Sequence, residues 1–182
     1  MVAFPTETFY GLAVDPFNEE ALSRLFRLKK RSPAKPVLTL VADESQLDSL
    51  ITEIPSCYPE LMRKFWPGPL TLLFPALSSL SGFLTADTGR VGARISSHPL
   101  AQALVQNYGR PVTATSANLS GCPAAAQGKE VLLQLPQVDF LLESDEFVQG
   151  TASTIIGYEN NSPVVIRTGA ILEFCPGMLG KN

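Results

Sequence analysis

The sequence predicts an α/β fold built on one mixed sheet, and three observations carry that prediction. Stretches of helical spacing alternate with short apolar runs throughout the chain. Several neighbouring runs are separated by too little chain for a helical crossover, so some strand pairs must be antiparallel. The polar clusters fall at the ends of predicted strands, where open α/β sheets hold ligands. At 182 residues, 45% hydrophobic and 17% charged, the chain buries one core and is short for two, so residues 1–182 read as a single domain.

Val2 to Phe4 reads as a strand that runs straight into Pro5-Thr6-Glu7-Thr8, with no preceding element to cover its edge. After the turn at Asp15-Pro16, Leu22, Leu25 and Phe26 repeat at helical spacing from a start near Asn18. That helix closes on Arg27, Lys29, Lys30 and Arg31, cations that suit a helix C-terminus. Val37 to Val41 is a strand; Leu47, Leu50, Ile51 and Ile54 mark a second helix; Tyr58 to Phe65 forms a third, ended by Trp66-Pro67-Gly68-Pro69. Strands follow at Leu70 to Phe74 and Val91 to Ile95. Pro99 to Tyr108 is a helix with proline in its first turn and Gly109 past its end. Val112 to Thr115 is a strand, a helix lies near Glu130 to Leu135, and strands lie near Phe140, at Ser153 to Ile156 and at Val164 to Arg167. Ser78 to Ser81 and Gly157 to Ser162 read as the loosest stretches.

Composition narrows the function classes. Fourteen Lys and Arg against seventeen Asp and Glu give a net charge of -3, so binding of phosphate or nucleic acid requires a local cluster of cations rather than a global field. Cys57, Cys122 and Cys175 are odd in number and widely spaced, and the chain has one histidine, which supports neither a disulfide framework nor a zinc site. A reducing, cytoplasmic location is the expectation. No apolar run has the length of a membrane span, and MVAFPTET lacks the basic and apolar regions of a signal peptide.

The richest segment is the run from Pro111 to Gly121, in which an apolar strand ends in small polar residues. Ser116, Asn118 and Ser120 offer hydroxyl and amide groups, and Gly121 permits a turn that a Cβ would resist, so a strand leads into a ligand-gripping loop. Two further clusters sit at strand ends, Pro5 to Thr8 and Arg94 at the close of Val-Gly-Ala-Arg. Lys29, Arg31 and Lys35, around Ser32-Pro33-Ala34, form the dense basic patch and could cradle a polyphosphate. Each cluster alone has an ordinary structural use: a Pro-Thr-Glu-Thr turn, a solvated helix end complementing the dipole. Trp66 reads as a core or turn anchor, His98 as a helix-start residue and Cys122 as a small side chain. The chain lacks a Ser/His/Asp set, metal-ligand spacing, a G-x-x-x-x-G-K-[ST] loop and a G-x-G-x-x-G turn, so its chemistry must rest on positioning and electrostatics, as in phosphoryl and nucleotidyl transfer.

Taken in order, PTETFYGL, LKKRSPAKPV, WPGPLTLLF, VGAR followed by HP, PVTATSANLSG, ASTII and VVIRTG resemble the YrdC-like family, the threonylcarbamoyl-AMP synthases, over nearly the whole chain. The resemblance implies an open, twisted sheet with flanking helices around a large cationic cavity. In it L-threonine, bicarbonate and ATP become threonylcarbamoyl-AMP and pyrophosphate, and the product supplies a tRNA adenosine through downstream tRNA-modifying transferase proteins. By motif position, Thr8 and Arg94 would hold L-threonine, with the backbone at Ala114 and Ser153 completing the pocket. Arg31, Lys35, Ser116 and Arg167 would hold ATP. Lys29 and Asn118 would join them in the anion cavity, with Lys29, Arg31 and Lys35 as the catalytic cations. A guanidinium clamping a carboxylate through two parallel bonds suits Arg94. No carboxylate cluster offers a metal cage, so Mg²⁺ would be held mainly by ATP.

The chain departs from the family pattern in several places. Relatives usually carry a helix and a lead-in before the first motif, whereas Met1 lies four residues before Pro5, so a lead-in helix is expected to be missing. Arg94-Ile95-Ser96 stands where many relatives read R-x-P, Leu40 where some place a histidine near threonine, and Ala124 where a serine is common. A short free-standing synthase is the leading reading. The competitors are a carbamoyl-AMP-forming domain, as in hydrogenase-maturation proteins, and a non-catalytic module for tRNA or double-stranded RNA, recognised by shape.

Overall fold

The computed structural model describes residues 1–144, 148, 150–171 and 173. Among them, nine strands form one sheet: β1 (Val2–Phe4), β2 (Gly11–Ala13), β3 (Leu38–Leu40), β4 (Leu70–Pro75), β5 (Arg90–Arg94), β6 (Val112–Ser116), β7 (Phe140–Leu141), β8 (Thr154–Glu159) and β9 (Ser162–Arg167). Their order is β7-β1-β2-β6-β3-β5-β4-β8-β9. β1/β7, β3/β5 and β4/β8 are parallel and the remaining pairs antiparallel, so the sheet is mixed, as short connections demand.

β1 is not left uncovered. It lies between β2 and β7, with Val2 opposite Phe140 and Ala3 opposite Leu141, so a strand from much later in the chain supplies the edge cover that the sequence reading found missing upstream.

The helices are α1 (Glu19–Lys29), α2 (Pro59–Phe65), α3 (Gly82–Thr85), α4 (Pro99–Tyr108) and α5 (Gly128–Gln134). α1 begins where the Asn18 side chain accepts from the Ala21 N–H at 2.9 Å, and it ends at Lys30, which adopts a left-handed φ of 50°. His98 is a helix-start residue, its Nδ1 accepting from the Leu100 N–H at 3.2 Å, and Gly109 closes α4 with φ 75°. Trp66 anchors the turn before β4 by donating Nε1–H to the Leu70 carbonyl at 2.7 Å. Cys57 is partly buried and Cys122 exposed, both as free thiols; Cys175 lies outside the described residues.

The second predicted helix is instead a 3₁₀ helix, Glu44–Ser49, capped by Asp43, after which Ile51 bridges Ala76. The apolar residues from Leu47 to Ile54 serve a strand-like bridge as well as a helical turn, which mimics a longer helical period. Gly157 to Ser162 is not loose either. It lies in the β8–β9 hairpin, closed by Asn160 and Asn161 at φ 47° and 61°, the left-handed conformation that asparagine tolerates better than most residues.

Neighbouring residues such as Ala3 and Phe4, or Leu12 and Ala13, point to opposite faces and join different clusters. One face packs under α1, α2 and α5 through Leu22, Leu25, Met62 and Val131. The other packs Phe4, Ala13, Leu40 and Val112 against Ala101 and Val105 of α4. α4 covers only part of this second face. Pairing lays Gly11 beside Ser116, Leu38 beside Ala114 and Leu40 beside Arg94 across it, and the uncovered part becomes a cavity. Among the described residues no helix is long and apolar enough to cross a membrane.

Candidate active site

The cavity is about 220 Å³, and among the described residues its lining includes Arg31, Arg94 and Arg167 but no carboxylate. Its walls come from distant parts of the chain: the turn between β1 and β2, the loop after α1, the end of β5, β6 with its following loop, and the β8–β9 region.

Thr8 enters from the first turn, where Thr6 organises the backbone. Thr6 Oγ1 lies 2.9 Å from Thr8 Oγ1, donates to the Phe9 carbonyl at 2.7 Å and accepts from the Thr8 N–H at 3.2 Å. Both threonines are buried, so their hydroxyls stay fixed at the cavity wall.

Arg94 is only 6% exposed, and its NH1 donates to Glu7 Oε1 at 2.8 Å. Burial pushes the Arg94 guanidinium below the usual arginine range while Glu7 pulls it back up. Arg167 donates Nε and NH2 to the Ser153 carbonyl at 3.1 and 2.7 Å, and NH2 also reaches Ser153 Oγ at 3.0 Å. Ser153 Oγ in turn sits 3.0 Å from Thr71 Oγ1, so the side chain is held on both sides. Burial lowers the pKa of Arg167, and the charge of Arg94, which lines the same cavity, lowers it further. Arg31, lowered by burial, donates Nε to the Lys35 carbonyl and NH2 to the Pro36 carbonyl, each at 2.8 Å. Confined like charges of this kind attract an anion strongly.

The sequence-predicted residues divide accordingly. Thr8, Arg31, Arg94, Ala114, Ser116, Ser153 and Arg167 all line the cavity. Ala124 lines it too, whereas Leu40 is buried in the α4 cluster. Lys35 does not line it. Its side chain is exposed, and it serves the site through its backbone carbonyl, which orients Arg31.

Lys29 and Asn118 also stand outside the lining. Lys29 is 1% exposed, and its ammonium donates to the Ser116 carbonyl, to the Asn118 carbonyl at 2.7 Å and to Asn118 Oδ1 at 3.3 Å. The Lys29 carbonyl also accepts from the Ser120 N–H at 2.9 Å. The end of α1 thereby pins the loop after β6 from beneath. Burial, helped by the charge of Arg31, pushes Lys29 down to about 7. Asn118 Nδ2 donates to the Leu119 and Cys122 carbonyls at 3.0 and 2.6 Å, while its Oδ1 accepts from Ser116 Oγ at 2.5 Å, so this amide shapes the loop and aims the serine.

Sequence reasoning missed Glu7, Ser96 and Thr71, the residues that hold Arg94 and Ser153 in place. A buried arginine requires a counterion, and Glu7, inside a motif already singled out, is the acid that meets it.

A mixed sheet with one face partly open over a cavity that three arginines line defines an open-faced α/β protein. The Sua5/YciO/YrdC family model, described as "Telomere recombination", matches residues 1–169, and the chain belongs to that family. It is 37% identical over 175 residues to the threonylcarbamoyl-AMP synthase of Bacillus subtilis (strain 168), covering 95% of this chain and 51% of that protein. It is 34% identical over 183 residues to the synthase of Pyrococcus abyssi, covering 100% and 54%. The crystal structure of P. abyssi Sua5 complexed with L-threonine superposes with a TM-score of 0.87 at 35% identity, over 92% of this chain and 50% of that one. The chain thus spans about half the length of these relatives.

Proposed function

We propose that this chain is a threonylcarbamoyl-AMP synthase domain, joining L-threonine, bicarbonate and ATP to give threonylcarbamoyl-AMP and pyrophosphate. The observation that carries the reading is the buried Arg94 beside Thr8, Ala114 and Ser153, with Arg31 and Arg167 in the same cavity. It is supported by the synthases the chain resembles and by the relative crystallised with L-threonine.

The reaction runs in two steps. The threonine amine attacks bicarbonate, losing water and forming a carbamate. A carbamate oxygen then attacks the α-phosphorus of ATP, and the bond to the departing pyrophosphate breaks. Every reactant is anionic, so fixed cations that neutralise converging charge lower the barrier. Arg94 takes the threonine carboxylate, Thr8 and the backbone at Ala114 and Ser153 complete that pocket, and Arg31 and Arg167 take the phosphates with the Ser116 hydroxyl. Lys29 and Asn118 hold the loop in shape, and Lys35 orients Arg31. A volume of about 220 Å³ is below the roughly 300–1,000 Å³ of typical ligand pockets, which fits an enclosed amino acid with ATP reaching outward past Arg31. Mg²⁺ would arrive on the ATP phosphates, which are its usual ligands in such reactions.

The product would pass its threonylcarbamoyl group to a tRNA adenosine through partner transferases, in the cytoplasm. The matched relatives favour this reading over a carbamoyl-AMP-forming domain or an RNA-binding module. The test is pyrophosphate release with each substrate omitted in turn. Release should require threonine and bicarbonate together, because the nucleophile forms only from both; equal release with either left out refutes the synthase.

A further inference from the structure

We propose that Glu7 and Ser96 are positioning residues that aim Arg94 at the amino-acid carboxylate, so that threonine affinity depends on a hydroxyl that never touches threonine. This rests on the functional reading above.

A guanidinium is a planar fork, and which edge it presents depends on what holds the other end. Here Glu7 Oε1 takes NH1 at 2.8 Å, and among the described residues this is Arg94's ion pair. An acid bound through one oxygen can still swing. The second oxygen, Oε2, accepts from the Ser96 hydroxyl, and Ser96 is 2% exposed. Ser96 Oγ is fixed in its turn by the His98 N–H at 3.3 Å, at the residue that caps α4. The first residues of α4, Ser96, Glu7 and Arg94 therefore form one chain of bonds from a helix start to the cavity wall. Glu7 and Arg94 are 87 positions apart, and Ser96 ties the strand-end loop carrying Arg94 to the turn carrying Glu7. Neither Glu7 nor Ser96 lines the cavity, while Arg94 does. Remove the hydroxyl and Glu7 keeps its charge but loses its fixed orientation, so Arg94 loses aim while the rest of the cavity stays as it was.

Ser96→Ala, Ser96→Thr and Glu7→Gln test this in threonine-dependent pyrophosphate release, with the KM for threonine and for ATP measured separately. Ser96→Ala should raise the KM for threonine about tenfold, the loss of one hydrogen bond to a charged group, with the KM for ATP within twofold. Ser96→Thr, which keeps the hydroxyl, should recover most of that loss. Glu7→Gln should be worse, because its amide sets a donor against the Arg94 donors whenever its oxygen serves Ser96. The dependence of melting temperature on threonine concentration gives a second measure of affinity for a variant too slow to assay. Unchanged threonine affinity in both Ser96→Ala and Glu7→Gln overturns the inference and leaves the function standing. Equal rises in both KM values overturn it as well, since they mean general disturbance. Absence of threonine-dependent release by the unaltered protein overturns both readings.

Discussion

Replacing Lys29 by methionine tests whether that lysine is the strut beneath the loop after β6. Methionine keeps much of the length and removes the charge and all donors. The Ser116 carbonyl would keep the Asn118 N–H at 3.0 Å, and Asn118 Oδ1 would keep Ser116 Oγ. The Asn118 carbonyl, which among the described residues has Lys29 as its donor, would be left bare at a buried site, costing about 1–3 kcal/mol. Against this stands relief of a buried charge, and its size depends on pH. Lys29 is pushed from 10.5 to about 7 in the folded protein. Between those values the unfolded chain binds the proton that the folded one has released, so this group makes stability rise with pH, by at most about 1.4 kcal/mol per pH unit. From pH 7 to pH 9 the unaltered protein should gain about 2–3 kcal/mol that Lys29→Met does not. Urea denaturation of both proteins at pH 7, 8 and 9 isolates the effect, because other titrating groups cancel in the difference. The stability of the unaltered protein relative to the variant should rise with pH, and turnover should fall in the variant as the loop shifts. A relative stability of the unaltered protein that stays constant or falls with pH would refute the argument that Lys29 sits buried and sheds its proton near neutrality.

Two further outcomes follow from the geometry. A Cβ on Gly169 would lie 2.3 Å from the Ala152 carbonyl oxygen and 2.5 Å from the Ser153 carbonyl carbon, backbone atoms that cannot swing aside; Gly169→Ala should cost about 1–3 kcal/mol in denaturant titrations and weaken threonine use, and an unchanged midpoint would count against the close packing. Arg31→Ala should weaken ATP use at least tenfold, the scale of a lost charge-assisted bond, whereas Lys35→Ala should have a smaller effect because its side chain stays outside the cavity; titration of initial rates against ATP checks the ranking, and reversal of it would return Lys35 to the phosphates.

Much of the fold was legible because its signals are local. The Asn18 start of α1, proline and Gly109 around α4, and the apolar runs of β4, β5 and β6 each act within a few residues. β2 was missed because Gly11–Ala13 is too short for a period of two to register, and its strand character comes from pairing with β1 and β6. The hairpin at Asn160-Asn161 resembled a loop in composition because left-handed turns and loose loops draw on the same residues. In the site, the motifs identified the cavity-lining residues, but not the difference between a cation that faces the ligand and one that faces its own backbone. Lys29 and Arg31 are two residues apart and look equivalent in sequence. The helical path turns one inward under a loop and leaves the other at the cavity.

The position of β6 governs how the molecule can form. β2 and β3 lie on either side of it, yet both precede it by at least 70 residues, and β1 gains its second neighbour only when residues 140–141 are available. The sheet therefore cannot be laid down strand by strand as the chain leaves the ribosome; its early strands must wait with open edges, and closing such long loops slows folding. The pocket is completed later still, when Ser153 and Arg167 join Thr8 and Arg94. A ligand held there recognises the finished sheet and no earlier intermediate, so substrate acts as a thermodynamic lock on the assembled state rather than a template for reaching it.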